Sequence, residues 1–106
     1  MIKYVALYRK PDDVEAFDTA YFESHLPIVA KTPGLIRAEV SRATDVFVPG
    51  FFGEHEPHLV AEMYFADATA MKRAFASPEW QAAGVNLTEI GGMDLVAMFA
   101  AEVVVG

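Results

Sequence analysis

His25 is the side chain in this sequence that is best suited to acid–base chemistry. It lies four residues after Tyr21, on the apolar side of a helix-forming stretch. An imidazole that titrates near neutral pH can take a proton from a carbon beside a carbonyl and return it to another atom. A structural role stays open as well, because Pro27 frees a backbone carbonyl that a buried His25 could bond.

Three tyrosines add phenol groups that could orient a carbonyl or stabilise an enolate. Tyr4 and Tyr8 fall on one face of the first expected strand, and Tyr21 falls on the first expected helix. Aromatic residues at such spacings commonly belong to the core. However, three hydroxyls and an imidazole on facing surfaces would each need a partner if they were sealed, and a solvated cavity supplies partners more easily. The pattern therefore favours a cavity.

The other two histidines make a weak metal-binding pattern. His55 and His58 are three residues apart, a spacing that presents two ligands together only on a helix. Pro57 lies between them and argues against a helix, so we expect two solvated loop histidines. The chain has no cysteine, which excludes thiolate nucleophiles and iron–sulfur or zinc-thiolate sites. We expect no metal and no other cofactor.

Apolar periodicity and turn signals predict a ferredoxin-like α+β fold with the element order β-α-β-β-α-β and a four-stranded antiparallel sheet. The expected strands span residues 2–9, 35–43, 58–65 and 93–105, and the expected helices run from 12 to about 31, from 67 to about 76 and from 78 to about 90. Asp12, Asp67 and Ser77 are the expected N-caps. Because a proline inside a helix removes a backbone bond, Pro27 predicts a kink just after His25.

The second strand and the loop after it carry apolar residues that need cover. In the second strand Ile36, Ala38 and Val40 alternate with polar residues and should face inward. The loop over residues 44–57 is unusually long for a compact domain. It is also unusually apolar, since it contains Val46, Phe47, Val48, Phe51 and Phe52. Such a loop must cover something or be covered.

One face of the predicted sheet is left bare, because the helices cover only the other face. Strands one and four are apolar on both sides, as shown by Val5 and Leu7 in one and by Val96, Met98 and Ala100 in the other. A sheet with one face in water would carry polar residues there. We therefore predict that a second copy of the chain covers this face in a homodimer.

Length and charge limit the remaining possibilities. The 106 residues predict a single domain over 1–106. Eight Lys and Arg against 15 Asp and Glu give a net charge of −7, which disfavours nucleic acid and anionic membranes as partners. No apolar run approaches the length of a membrane span, and Met1 leads into the first strand without a signal segment. A cytoplasmic location is the expectation.

Several stretches of the chain together resemble one known family. They are Met1-Ile2-Lys3, Ala6-Leu7-Tyr8-Arg9-Lys10-Pro11, Tyr21-Phe22-Glu23-Ser24-His25-Leu26-Pro27, Pro33-Gly34-Leu35, Leu59-Val60-Ala61-Glu62-Met63-Tyr64-Phe65 and Ser77-Pro78-Glu79. They resemble the EthD family over nearly the whole chain, and the most specific feature is the histidine of the His-Leu-Pro stretch. That family belongs to the dimeric α+β barrel superfamily, so the resemblance implies two ferredoxin-like subunits that join their sheets.

The resemblance also implies where a ligand would lie. In many superfamily members the ligand lies between the sheet and the helices of one subunit. Carried over to this chain, that placement makes His25 and Tyr8 the candidate catalytic residues. It makes Tyr4, Tyr21 and Met63 the candidate ligand-binding residues, while Val5 and Leu7 would face the partner subunit.

Three kinds of function are compatible with these features. The first is a cofactor-free isomerase, cyclase or lyase that acts on a small hydrophobic carbonyl compound, with His25 as general acid and base. The second is a non-catalytic protein that binds a small apolar molecule. The third is a haem- or metal-using oxidoreductase, which the chain supports least because it offers one well-placed histidine and no ligand cluster. Fold alone does not choose among them.

Overall fold

The fold is a four-stranded antiparallel sheet with helices on one face, seen in a computed structural model that describes residues 1–50 and 52–106. In chain order its elements are β1 Ile2–Arg9, α1 Val14–Ala20, a π-helical turn Tyr21–His25, α2 Leu26–Val29, β2 Arg37–Arg42, β3 Pro57–Phe65, α3 Ala68–Phe75, α4 Pro78–Glu89, a 3-10 turn Gly92–Asp94 and β4 Val96–Glu102. The strand order is β2-β3-β1-β4. The predicted element order is confirmed, and Phe51 of the predicted loop lies outside the described residues.

The core lies between the sheet and the helices. Strand β3 supplies alternate buried residues, Leu59, Ala61, Met63 and Phe65, and β1 supplies Ala6 and Tyr8. The helices close this layer with Phe17, Tyr21, Val29, Met71, Ala74, Ala83 and Leu87. Of the helices in the described part of the chain, none combines the length and apolar character needed to cross a bilayer.

The register of β4 corrects the prediction about the bare face. Val96, Met98 and Ala100 stand opposite Tyr8, Ala6 and Tyr4 in the neighbouring strand. Directly paired residues of antiparallel strands point to the same side, so these three residues face the helices. The bare side of β4 instead carries Ala97 and Phe99, beside Val5 and Leu7 of β1. The part of that face formed by Val5, Leu7, Ala97 and Phe99 is still apolar, with a different set of residues from strand four, whereas the Lys3–Glu62 ion pair lies on the same face toward β3.

Strand β2 lies at the sheet edge, and its inward face is only partly covered. Val40 packs against the core, whereas Ile36 and Ala38 are exposed. The register places Ala38 and Val40 opposite the core residues Met63 and Ala61, so they face the helices as predicted, but the helical layer leaves much of this edge uncovered. The predicted range 93–105 for the last strand is too long, since the 3-10 turn precedes β4 and Val104 and Val105 lie beyond it, exposed.

The first helical region is interrupted earlier than predicted. The amide of Leu26 donates to the carbonyl of Tyr21, five residues back, which closes the π-helical turn. Pro27 then stands at the start of α2, where its missing N–H costs little. The irregularity predicted just after His25 is therefore a π-helical turn that ends at His25, and the helical region ends at Val29 rather than near residue 31.

The N-cap of α1 is Asp13, not the predicted Asp12. The Asp13 carboxylate accepts a hydrogen bond from the amide of Ala16 at 3.0 Å. Replacing Asp13 by alanine should lower the free energy of unfolding by about 1 kcal/mol, because one helix amide loses its partner. A drop in melting temperature of about 4–8 °C should accompany it in thermal denaturation followed by circular dichroism. Asp12→Ala is the matched control and should leave the melting temperature unchanged. Equal effects of the two substitutions would contradict this assignment of the cap.

Candidate functional site

A cavity of about 100 Å³ lies between the sheet and the helices. The structure brings all five predicted site residues to its wall: Tyr4, Tyr8, Tyr21, His25 and Met63. The other lining residues are Val29, Trp80, Ala83, Gly84, Leu87, Met93 and Met98. The wall is therefore largely apolar, with an imidazole and three phenols as its polar groups.

The elements position these groups through their ordinary periodicities. Because alternate residues of a strand share a face, Tyr4 and Tyr8 both point from β1 toward the helices. The π-helical turn presents Tyr21 and His25 together, with ring centroids 5.1 Å apart. From α4 the residues at helical spacing, 80, 83, 84 and 87, complete the opposite wall.

The cavity has a deep end and an open side. At the deep end Tyr8, Tyr21 and His25 are buried, with His25 only 5% exposed. On the open side Met93 and Met98 are 43% and 42% exposed. A molecule that enters past the methionines would therefore meet the imidazole and the buried phenols last.

A hydrogen-bond chain orients the imidazole of His25. Its Nδ1 lies 3.1 Å from Oδ1 of Asn86, and Nδ2 of Asn86 donates to Oγ of Ser24 at 2.9 Å. An amide oxygen can only accept, so Nδ1 carries the proton in this arrangement. Nε2 of the neutral ring then holds a lone pair, and it makes no hydrogen bond with any of the described residues. This nitrogen is available as a base.

Burial keeps the titratable groups of the cavity neutral. Burial lowers the pKa of His25, and the hydrogen bond with Asn86 opposes this in part. Burial raises the pKa of Tyr21 to about 12, and it also raises the pKa values of Tyr4 and Tyr8. At neutral pH the site therefore holds an uncharged base and three protonated phenols.

The tyrosine hydroxyls are poorly supplied with partners inside the protein. The hydroxyl of Tyr21 is buried and interacts with that of Tyr8, but it makes no well-formed hydrogen bond with any of the described residues. The Tyr4 hydroxyl donates to the sulfur of Met98 at 3.4 Å, which is a weak acceptor. Because buried hydroxyls normally find a partner, these groups are free to bind a ligand oxygen.

The lowered pKa of His25 makes stability depend on pH. Below the ordinary pKa of 6.5 the unfolded chain takes up a proton that the folded protein does not, so acid favours unfolding. Stability from this source should be lost as the pH falls from 6.5 toward the folded pKa. In urea denaturation from about pH 7.5 to about pH 5.5, wild type should lose more stability than His25→Gln, which lacks this titration. Parallel losses in the two proteins would contradict a lowered pKa.

Sequence reasoning missed Asn86, Gly84 and Trp80. Asn86 stands on α4, and its partner His25 is 61 residues away in the chain. No local pattern connects the two, so this contact depends on how α4 packs against the π-helical turn. Trp80 and Gly84 stand four residues apart, so their spacing shows that they share one face of α4. The sequence does not show that this face lines the cavity.

The predicted pair of solvated loop histidines is half wrong. His55 is exposed, but His58 is buried and its Nε2 lies 2.7 Å from the carboxylate of Asp18. Asp18 also pairs with Arg42 at 3.2 Å. The register shift between β1 and β3 lies next to His58 and gives it an irregular position that simple alternation does not predict.

Known proteins resemble this chain over most of its length. The family model described as the EthD domain matches residues 9–89. The crystal structure of an ethyl tert-butyl ether D (EthD) family protein from Bacillus halodurans is 32% identical, covers 96% of this chain and 97% of that chain, and has a TM-score of 0.84. An uncharacterised 11.0 kDa protein from the thcB-thcC intergenic region of Rhodococcus erythropolis is 27% identical over 104 residues, 96% of this chain and 95% of that protein.

A more distant solved structure shows the fold. It is a dimeric ferredoxin-like protein of unknown function from a Jannaschia species, 21% identical, with a TM-score of 0.65. The match covers 97% of this chain and 100% of that chain. The ferredoxin-like fold predicted from the sequence is thereby confirmed.

Proposed function

The chain belongs to the EthD family, and on that premise we propose that it is a homodimeric enzyme that moves a proton on a small uncharged carbonyl compound without a cofactor. His25 acts as the general acid and base. The observation that carries this proposal is the 3.1 Å contact between Nδ1 of His25 and Oδ1 of Asn86, which assigns the proton to Nδ1 and leaves Nε2 as a base beside buried phenols.

The proton transfer follows from these groups. The lone pair on Nε2 takes a proton from the carbon next to the carbonyl, and the electrons of that C–H bond become the new C=C bond of an enolate. The carbonyl oxygen takes up the negative charge. Tyr8, or Tyr21 beside it, donates a hydrogen bond to this oxygen. In an isomerisation the imidazolium returns the proton to a different atom of the enolate. In a ring closure the enolate carbon bonds to a second carbonyl carbon of the same substrate, the electrons of that C=O bond move to its oxygen, and the imidazolium protonates this oxygen.

The surroundings of His25 and the tyrosines favour proton transfer on an uncharged substrate over binding of an ionised one. Because burial lowers the pKa of His25, the imidazole is neutral and able to accept a proton at neutral pH. The raised pKa values of the tyrosines keep their hydroxyls as donors. None of the lining residues is a Lys, Arg, Asp or Glu, so an ionised substrate would find no counter-charge in the cavity. We infer an uncharged, largely apolar substrate.

Ligand binding without chemistry is the second candidate function. It is favoured by one observation: His25 has a structural partner in Asn86 and its ring packs at a tilt against Tyr21, as a core histidine would. The two functions differ in a measurable way. An enzyme of the proposed kind should accelerate exchange of the α-protons of a small cyclic ketone with D2O, whereas a binding protein should not.

The homodimer is proposed from the uncovered face of the sheet. Val5, Leu7 and Phe99 lie next to one another across β1 and β4, and Phe99 is 50% exposed. The Jannaschia protein of the same fold is described as dimeric. A stable interface would bury roughly 1,200–2,000 Å² of this face and its copy in total. A second copy would remove this apolar surface from water.

A further inference from the structure

We propose that Gly84 sets the size of the ligand. Because Gly84 has no side chain, the cavity stays open beside it, and a ligand larger than the cavity extends through this opening. This inference rests on the proposed function, because it concerns the substrate of the same site. The ligand class it implies is a cyclic or branched carbonyl compound whose carbonyl end lies at His25 and whose bulk reaches the rim.

Gly84 belongs to the face of α4 that lines the cavity. Trp80, Ala83 and Leu87 lie at the helical spacings that place them on this same face, and all four residues line the cavity. Ala83 and Leu87 are buried, whereas Gly84 and Trp80 are partly exposed. Gly84 therefore stands at the rim of the cavity, one turn after the ring of Trp80.

The space at Gly84 is empty. A Cβ atom built on this residue meets no other atom within 4 Å, and its backbone is that of an ordinary helix. Neither a close approach of the chain nor a left-handed conformation requires glycine here. Glycine is nevertheless a poor residue for the middle of a helix, and alanine would be more stable there. The stability of the helix does not explain this residue, but an open cavity does.

The cavity is too small to hold a ring-sized ligand without this opening. The enclosed volume is about 100 Å³. A protein cavity that binds benzene has a volume of about 150 Å³, so a ring-sized ligand overfills this one and must extend toward the rim. Met93 and Met98, the most exposed lining residues, have flexible side chains that can move aside. A Cβ atom cannot move aside, because the backbone fixes its position, so the absence of a Cβ at Gly84 leaves room that no rotamer change could create.

The test compares a series of unsubstituted ring ketones, from cyclopentanone to cyclooctanone, for binding to wild type, Gly84→Ala and Gly84→Val. Trp80 is the single tryptophan of the chain and lines the cavity, so saturable changes in its fluorescence report binding without any assay of activity. Shifts in 1H–15N spectra provide a second readout.

One added methylene in a pocket typically changes binding by about 10- to 200-fold. Gly84→Ala should weaken binding of the largest ring that wild type accepts by about ten-fold or more, and Gly84→Val should weaken it further. Binding of cyclopentanone should change by less than about two-fold.

Val85→Ala is the matched control. Val85 neighbours Gly84 on α4 but is exposed and does not line the cavity, and alanine improves helix propensity at both positions. Both variants should melt at or above the temperature of wild type, and only the Gly84 variants should discriminate by ring size. If Gly84→Ala weakens all rings equally, or none, the inference is overturned while the proposed function stands. If wild type binds none of the rings, the proposed function fails and this inference fails with it.

Discussion

Replacing His25 by glutamine should slow the exchange of α-protons of cyclopentanone with D2O by about 10²- to 10⁴-fold, the usual contribution of a positioned general base. Glutamine is close to histidine in size and can still bond Asn86, but its amide does not accept a proton from carbon. The measurement is loss of the α-proton signal in 1H NMR spectra, with the rate in buffer alone subtracted. The tyrosines remain in place, so the residual rate reports what hydrogen bonding to the carbonyl achieves without a base.

His55→Gln is the matched control for this experiment, because it makes the same substitution at an exposed loop histidine. Its exchange rate should equal that of wild type. A purely structural His25 predicts the opposite result: no change in exchange, and a loss of roughly 1–3 kcal/mol of stability in His25→Ala from the groups left without partners. If wild type itself does not exceed the buffer rate, ligand binding without chemistry becomes the better description.

Replacing Phe99 by glutamate should convert the proposed dimer into a monomer of 11.6 kDa. The substitution would place one unpaired carboxylate from each subunit in the interface, and each buried charge costs several kcal/mol. Since about 1.4 kcal/mol changes a dissociation constant ten-fold, the dimer should weaken by about a thousand-fold or more. Sedimentation equilibrium at micromolar concentration measures this directly. Phe99 is already half exposed in the single chain, so the monomer should remain folded.

Gln81→Glu is the matched control for the interface. It adds the same charge on an exposed part of α4, away from the bare face of the sheet. This variant should sediment as wild type does. A wild-type protein that sediments as a monomer would contradict the proposed interface, and so would a Phe99→Glu protein that stays dimeric.

The fold was predictable because most of its elements are specified locally. A run of β-branched and aromatic residues with no turn residue before Pro11 predicts β1, and Asp67 and Ser77 cap α3 and α4 through the side-chain bonds expected of them. The errors occurred where local pattern is not sufficient. Asp12 and Asp13 are equivalent in type, and only the backbone geometry selects the second as the cap. The side of β4 that faces the helices depends on its register with β1, which no single strand encodes.

The candidate site was predictable to the extent that its residues lie on apolar faces. Tyr4, Tyr8 and Met63 share the helix-facing side of the sheet, and Tyr21 and His25 share one side of the first helical region. The partner of His25 was not predictable, because Asn86 is polar, has no motif around it and meets the imidazole only through tertiary packing. The burial of His58 was not predictable, because Pro57 precedes it and the register shift between β1 and β3 breaks the simple alternation there.

The π-helical turn has a consequence for how this pocket could be altered by changes in chain length. Such a turn holds one residue more than regular helix needs, so deleting a single residue from it would allow the segment to close into uninterrupted α-helix. Because the turn absorbs the extra residue, the helical residues on either side of the deletion would keep their faces. A deletion between Tyr21 and His25 would bring the two to an i,i+3 spacing, which still shares one face of a helix but changes the separation of phenol and imidazole. Removing one residue at this position would therefore tighten the roof of the cavity while leaving β1 and β3 untouched.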